Sequence, residues 1–199
     1  VQSAEITICG LGWFILYING RRVGNDEFVP AYTDYHDRPD MNLSYPLNDD
    51  FSHRIYALKY DVSEYLHEGK NVLGVAVGGG YYHQTLRKAE GNMNYGNIKL
   101  CYKLDVDSEV FYSNRKDVRY SRGYFEKSNL FYGETLDFRG FDRKWNTVDG
   151  NLSDGEEPFE TAPPKTEYYI QDCPTDKVAE VLAPELVKNF GDFSVYSIE

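Results

Sequence analysis

The stretch Leu16–Gly24 reads "LYINGRRVG". An apolar run stops at Asn19-Gly20, and "RRV" resumes at once. Asn and Gly both accept positive φ, which a two-residue type I′ turn needs at its two central positions. The stretch therefore predicts a tight β-hairpin. Just upstream, "WFILYI" is apolar on both faces, as expected for a short strand buried inside a sandwich. Before it, "EITICG" alternates, with Ile6 and Ile8 on one face, until Gly10 and Gly12 interrupt the pattern.

Downstream, "YTDYHDRPDMNLSYPLNDDFSHR" (32–54) is polar, broken by proline and rich in Asp and Asn, and reads as a long loop. In "YALKYDVSEYLHEGKNVLGVAV", Asp61 followed by Glu64 predicts a capping box with Asp in place of Ser or Thr. Tyr65 and Leu66 would then be the apolar side of one or two helical turns. Gly69 would supply the left-handed residue that ends them. "NVLGVAV" resumes as a buried strand, and "GGGYYHQTLRKAEGNMNYGN" (78–97) is a second long loop. "IKLCYKLDV" alternates, with Ile98, Leu100, Tyr102 and Leu104 facing in and Lys99, Lys103 and Asp105 facing out. Short strands are expected in "EVFYS", "VRYSRG" and "ETLDFRGF". Many short strands with turn residues between them predict an all-β fold. The expected architecture is an antiparallel, jelly-roll-like β-sandwich with short helical turns.

"DGNLSDGEEPFETAPPK" (149–165) is acidic, rich in Gly and Pro, and reads as a boundary. The expected division is a β-sandwich over 1–160, then a linker and the first strands of a following β-domain over 161–199. The chain stops within a strand pattern, which suggests an excised piece of a larger protein.

The formal net charge of −11 over 199 residues disfavours a nucleic-acid partner. No apolar run approaches the roughly 20 residues a membrane-spanning helix needs. No basic segment followed by an apolar one opens the chain, so location, exported or cytoplasmic, depends on what precedes Val1 in the parent. The three cysteines lie far apart in sequence with no CxxC spacing, which predicts small buried side chains rather than a disulfide framework or a zinc site. The histidines, His36, His53, His67 and His83, show no ligand spacing. Tyr (18) and Phe (11) are abundant enough to serve either as strand packing or as platforms for flat ligands such as sugar rings, and composition leaves both open.

Taken in order, "LGWFILYINGRRVG", "PAYTDY", "YDVSEYLHEGKNVLGVAVGGGYY" and "GETLDFR" resemble the N-terminal domain of bacterial α-L-rhamnosidases. The resemblance covers nearly the whole chain. Single motifs also occur in sugar-binding domains of β-galactosidase-like enzymes; the ordered set is the more specific. Where the family often carries Trp, this chain has Tyr32 in the "PAYTDY" loop and Tyr81 in "GGGYY", and its loop from His36 to Arg54 is longer.

The resemblance implies a parent hydrolase that removes terminal α-L-rhamnose with inversion. It also implies that the catalytic carboxylates lie in a separate (α/α)-barrel domain. Inversion needs two carboxyl groups facing each other across a sugar and a water. Glu134 and Asp137 are tempting, but on a strand they point to opposite faces, while Asp137 and Arg139 share one. A structural Asp137–Arg139 pair is expected, and the chain itself is expected to be inactive.

Some domains resembling this one bind rhamnose through calcium, which favours several hard oxygen ligands. Asn48, Asp49 and Asp50 supply three such donors. Tyr32, Tyr81 and Tyr82 are candidates to stack on a sugar, and Asn92 and Asn94 to bond its hydroxyls. No cofactor is required on this reading, with calcium as an optional one. The expected partners are a rhamnose-containing carbohydrate and the barrel of the same chain. The competing expectations are a purely structural domain whose aromatic loops pack on that barrel, or the sugar-binding domain of a β-galactosidase-like hydrolase.

Overall fold

The structure is a computed structural model that describes residues 1–33, 35, 54–84, 94–114, 116–151 and 155–198. Its strands are β1 (Ala4–Leu11), β2 (Trp13–Ile18), β3 (Arg21–Arg22), β4 (Asp26–Glu27), β5 (Arg54–Asp61), β6 (Leu73–Gly78), β7 (Lys99–Val106) and β8 (Glu109–Tyr112). They continue with β9 (Phe125–Asn129), β10 (Gly133–Leu136), β11 (Glu167–Ile170), β12 (Asp176–Lys177), β13 (Glu185–Asn189) and β14 (Ser194–Ser197). A five-stranded sheet runs β11-β5-β1-β7-β8, and a three-stranded sheet runs β3-β2-β6. β4 pairs with β12, β9 with β10, and β13 with β14. The pairs are antiparallel except β5–β11, which is parallel. β11 and β12 come after residue 160 yet hydrogen-bond to β5 and β4, so backbone pairing ties the late segment to the early one.

Alternation builds the core. Ala4, Ile6 and Ile8 of β1 and Leu58 of β5 face Phe14, Leu16 and Ile18 of β2, with Val23, Val29 and Val62 closing the ends. Leu100, Tyr102 and Leu104 of β7 pack against this cluster, as their spacing predicts, whereas Ile98, expected to face in with them, precedes the strand and is exposed. Each such side chain contributes roughly 1.5–3 kcal/mol when fully buried. The odd residues of β1, among them Thr7 and Cys9, point to the opposite face of the large sheet.

The Asn-Gly turn forms as expected. Asn19 has φ 51° and Gly20 φ 80°, and Ile18 pairs with Arg21 across them. Asn19 also does more than turn. Its Nδ2 donates to the Tyr65 carbonyl (3.0 Å) and to Asn71 Oδ1 (2.8 Å), and its Oδ1 accepts from Val72 N (2.9 Å). Gly20 N donates to the Asn146 carbonyl (2.8 Å). The turn thus docks on both the β5–β6 connection and the segment carrying Trp145 and Asn146. That segment lies so close to β6 that a Cβ on Gly74 would sit 2.6 Å from Asn146 Cβ.

Several expectations are corrected. The predicted capping box is absent: a single 3-10 turn, Ser63–Tyr65, starts at Val62 without a side-chain cap. Asp61 Oδ1 accepts instead from Ser63 N (2.9 Å) and Ser63 Oγ (2.6 Å), an Asx-type turn that competes with helix. Glu64 lies 3.8 Å from Arg21. Gly69 does have positive φ (92°), but in the following turn, which the Asn71 side chain closes by donating to the His67 and Gly69 carbonyls. β6 is half-buried rather than buried, because it is an edge strand of the smaller sheet. "VRYSRG" makes only the isolated bridge Tyr120↔Glu156, and "FEKSN" (β9), polar on both faces, is a strand that periodicity missed. Of the cysteines only Cys9 is buried; Cys101 and Cys173 are exposed, and Cys101 sits opposite Cys9 across β1–β7.

Candidate functional site

Several chain segments deliver aromatic rings to one region. Trp13 opens β2. Phe14 N donates to the Val29 carbonyl (2.9 Å), which holds the segment after Phe28 beside that strand. The Trp13 and Phe28 rings lie 4.8 Å apart between centroids. At the end of β6 the three glycines lead into a tight reversal, in which Tyr82 N (3.1 Å) and His83 N (3.0 Å) both donate to the Gly79 carbonyl. Gly80 has φ 48°, and a Cβ there would approach the Trp13 ring to 3.1 Å, so glycine lets this backbone lie against the indole. The reversal sets Tyr81 edge-on to Trp13, with centroids 5.8 Å apart.

Tyr32 arrives from the other loop. Its ring is 4.9 Å from that of Tyr81 and 5.7 Å from that of Tyr35. Its hydroxyl lies 3.1 Å from the Tyr95 hydroxyl. Phe131, at the β9–β10 turn, stands 6.4 Å from Tyr81. Phe28, Tyr32 and Phe131 are exposed, at 58%, 44% and 43%. Trp13 and Tyr81 are half-buried.

Tyr82 lies beneath this surface, not on it. It is 3% exposed and packs against Tyr35 and Tyr95, with centroids 5.2 and 5.8 Å away. Lys99 Nζ donates to its hydroxyl (3.1 Å). Burial pushes the Tyr35 phenol up to about 12, so it stays a neutral hydrogen-bonding group. Asn94 bridges to His83 at the base of the second long loop, and its Oδ1 accepts from Gly96 N (3.3 Å). Buried Gln84 donates through Nε2 to the Gly80 carbonyl and helps fix the same base.

The structure therefore brings Tyr32 and Tyr81 together, sets Tyr82 under them as packing, and places Asn94 at the loop base. Asn92, Asn48, Asp49 and Asp50 lie outside the described residues. Sequence reasoning missed Trp13, Phe28 and Phe131 as members. Trp13 had a signal, an aromatic at a strand start beside glycines, but it read as core. Phe28, in "DEFVP", and Phe131, in "NLFYG", sit in short turn-like stretches with nothing periodic to mark them.

The carboxylates behave as supports. Arg139 grips Asp137 in a bidentate pair, Nε to Oδ1 at 2.8 Å and an Nη donor to Oδ2 at 2.6 Å. That guanidinium holds the Asp137 carboxyl below the usual range. Glu134 Oε1 accepts from Ser128 Oγ (3.0 Å). Among the described residues, no group of three or more His, Cys, Asp or Glu side chains is placed to hold a metal ion. The surface offers ring faces and phenol hydroxyls, the chemistry that suits a ligand with apolar C–H patches and polar edges.

Comparison with known proteins agrees with this architecture. The family described as "Alpha-L-rhamnosidase N-terminal domain" matches residues 1–45 and 40–180. An α-L-rhamnosidase of Formosa agariphila is 27% identical over 94% of this chain and 19% of its own length. The α-L-rhamnosidase structure from Dictyoglumus thermophilum superposes with TM-score 0.74 at 26% identity, over 98% of this chain and 20% of that one. The Streptomyces avermitilis α-L-rhamnosidase, solved in complex with L-rhamnose, gives TM-score 0.62 at 27% identity, over 78% of this chain and 14% of that one. The chain thus spans about a fifth of the length of the first two of these relatives. With a family match running from residue 1 to residue 180, this chain belongs to the α-L-rhamnosidase N-terminal domain family.

Proposed function

We propose that this chain is a non-catalytic accessory domain of an enzyme that removes terminal α-L-rhamnose from glycosides or glycans, and that it binds carbohydrate at the aromatic surface around Tyr32 and Tyr81. One observation carries the reading: the segments that carry Tyr32 and Tyr81 meet at the start of β2, with the two rings 4.9 Å apart and tilted beside Trp13, and Tyr32 still 44% exposed. Exposed rings held by other rings are pre-organised, so little ordering entropy opposes a sugar settling on them. The proposed hydroxyl partners are Asn94, Asn92 and the Tyr32–Tyr95 hydroxyl pair. Calcium is the proposed ion at Asn48, Asp49 and Asp50, on the chemistry of their oxygen donors.

Calorimetric titration of L-rhamnose tests the reading, first with calcium and then with chelator. Heat that disappears in Tyr81→Ala is the expected result. Silence at millimolar sugar in both buffers overturns it.

A second reading has its own support. Leu186, Val187, Phe193 and Val195 of the β13–β14 hairpin and Phe138 after β10 are exposed. Such a set suits packing against the catalytic barrel of the parent enzyme. On that reading the isolated chain self-associates in sedimentation as its concentration rises.

A further inference from the structure

We propose that Cys9 and Cys101 form a redox modification site, a dithiol on the outer face of the five-stranded sheet that a hydroperoxide converts to a cross-strand disulfide. This is independent of the sugar-binding reading.

The register pairs Cys9 of β1 directly with Cys101 of β7. Residues directly opposite in an antiparallel pair project from the same face. Asp107 N donates to the Ser3 carbonyl, so the odd positions of β1 form the hydrogen-bonded pairs with β7. Such pairs have Cα atoms about 5.5 Å apart, within the roughly 4.4–6.8 Å that disulfides span.

Their surroundings divide the labour. Cys101 is exposed and Cys9 is buried. Both border an open groove of about 470 Å³, lined also by Thr7, Ala57, Tyr112 and Tyr168. The neighbouring Cys9 draws the Cys101 thiol below its usual range, while Cys101, with burial, pushes Cys9 up. Exposure makes Cys101 the attacking thiolate and burial makes Cys9 the resolving thiol, the arrangement that favours reversible oxidation.

The chemistry balances with hydrogen peroxide as oxidant. The Cys101 thiolate attacks one peroxide oxygen; an S–O bond forms, the O–O bond breaks, and hydroxide leaves. The sulfur is oxidised by two electrons to a sulfenic acid, and the peroxide is reduced. The Cys9 sulfur then attacks the Cys101 sulfur; the S–S bond forms, the S–O bond breaks, and the Cys9 proton leaves with the hydroxyl as water. Two thiols and one peroxide become one disulfide and two waters.

The test is mass mapping of the chain after near-stoichiometric hydrogen peroxide. The expected product is about 2 Da lighter, is restored by dithiothreitol, and yields a cross-linked Cys9–Cys101 peptide under non-reducing digestion. Cys173 stays available to iodoacetamide. Cys9→Ser, lacking the resolving thiol, leaves a Cys101 sulfenic acid that dimedone traps. Addition of oxygen without loss of 2 Da, or cross-linking through Cys173, overturns the proposal. The wild-type map decides the matter even if the variant does not fold.

Discussion

Replacing Asn19 separates its two roles in the hairpin turn. A type I′ turn accepts glycine at its first central position, so if Asn19 only turns the chain, Asn19→Gly changes stability by no more than about 0.5 kcal/mol. The structure predicts otherwise, because Asn19 Nδ2 donates to Tyr65 O and Asn71 Oδ1 while Oδ1 accepts from Val72 N. Three hydrogen bonds at about 1 kcal/mol each, discounted for the exposed Asn71 partner, give a loss of roughly 2–3 kcal/mol for Asn19→Gly. Asn19→Ala loses the same bonds and, unlike glycine, keeps a Cβ at φ 51° without the local hydrogen bonding that lets asparagine tolerate it, so it falls about 1 kcal/mol below Asn19→Gly. The assay is urea unfolding followed by circular dichroism on wild type, Asn19→Gly and Asn19→Ala. The midpoint falls in that order at unchanged m value. A near-neutral Asn19→Gly refutes the docking role, and equal losses for the two variants refute the backbone argument.

Gly74→Ala pushes a Cβ to 2.6 Å from Asn146 Cβ and 3.1 Å from the Trp145 ring, so about 1–3 kcal/mol of stability is lost and Trp145 emission shifts; urea melts read by fluorescence check both. Asp26 supplies a pH test. Its burial opposes charge, but hydrogen bonds from Thr175 and Tyr60 and the Lys177 charge outweigh this, and the carboxyl titrates below its ordinary range. A lowered folded-state pKa means the stabilisation is present above the unfolded value of about 3.9 and is lost as pH falls through the folded one. Wild type is therefore more stable than Asp26→Asn at pH 6, and the gap narrows as pH drops below about 4; thermal melts across that range check it.

What was legible in the sequence follows from periodicity and turn chemistry. Ile6, Ile8, Leu16 and Ile18 announced their strands because they alternate, and Asn19-Gly20 announced its hairpin because few residue pairs accept its φ values. β9 and β11 were not legible as partners of β10 and β5, since short, exposed strands carry no buried face to mark them. Asp61 misled because an Asx turn and a helix cap use the same side chain, and only the chain's exit at Leu66 distinguishes them. Tyr32 and Tyr81 were picked out by resemblance and do meet, but the depth of Tyr82 and the arrival of Trp13, Phe28 and Phe131 depend on loop paths. The Cys9–Cys101 pair was hidden for a related reason: it depends on which strand lies beside β1, and spacing along the chain does not contain that.

The two tryptophans make the most direct test possible, because Trp13 lies against Tyr81 and Trp145 packs edge-on to Tyr17, 5.7 Å away between centroids. In Trp145→Phe, the remaining indole reports from the candidate surface alone. Titrating L-rhamnose into that variant should give a saturable change in Trp13 emission, while Trp13→Phe, which leaves Trp145 as the reporter, shows none. A saturable signal from Trp145 with silence at Trp13 would contradict the site, and silence at both would contradict carbohydrate binding by this domain.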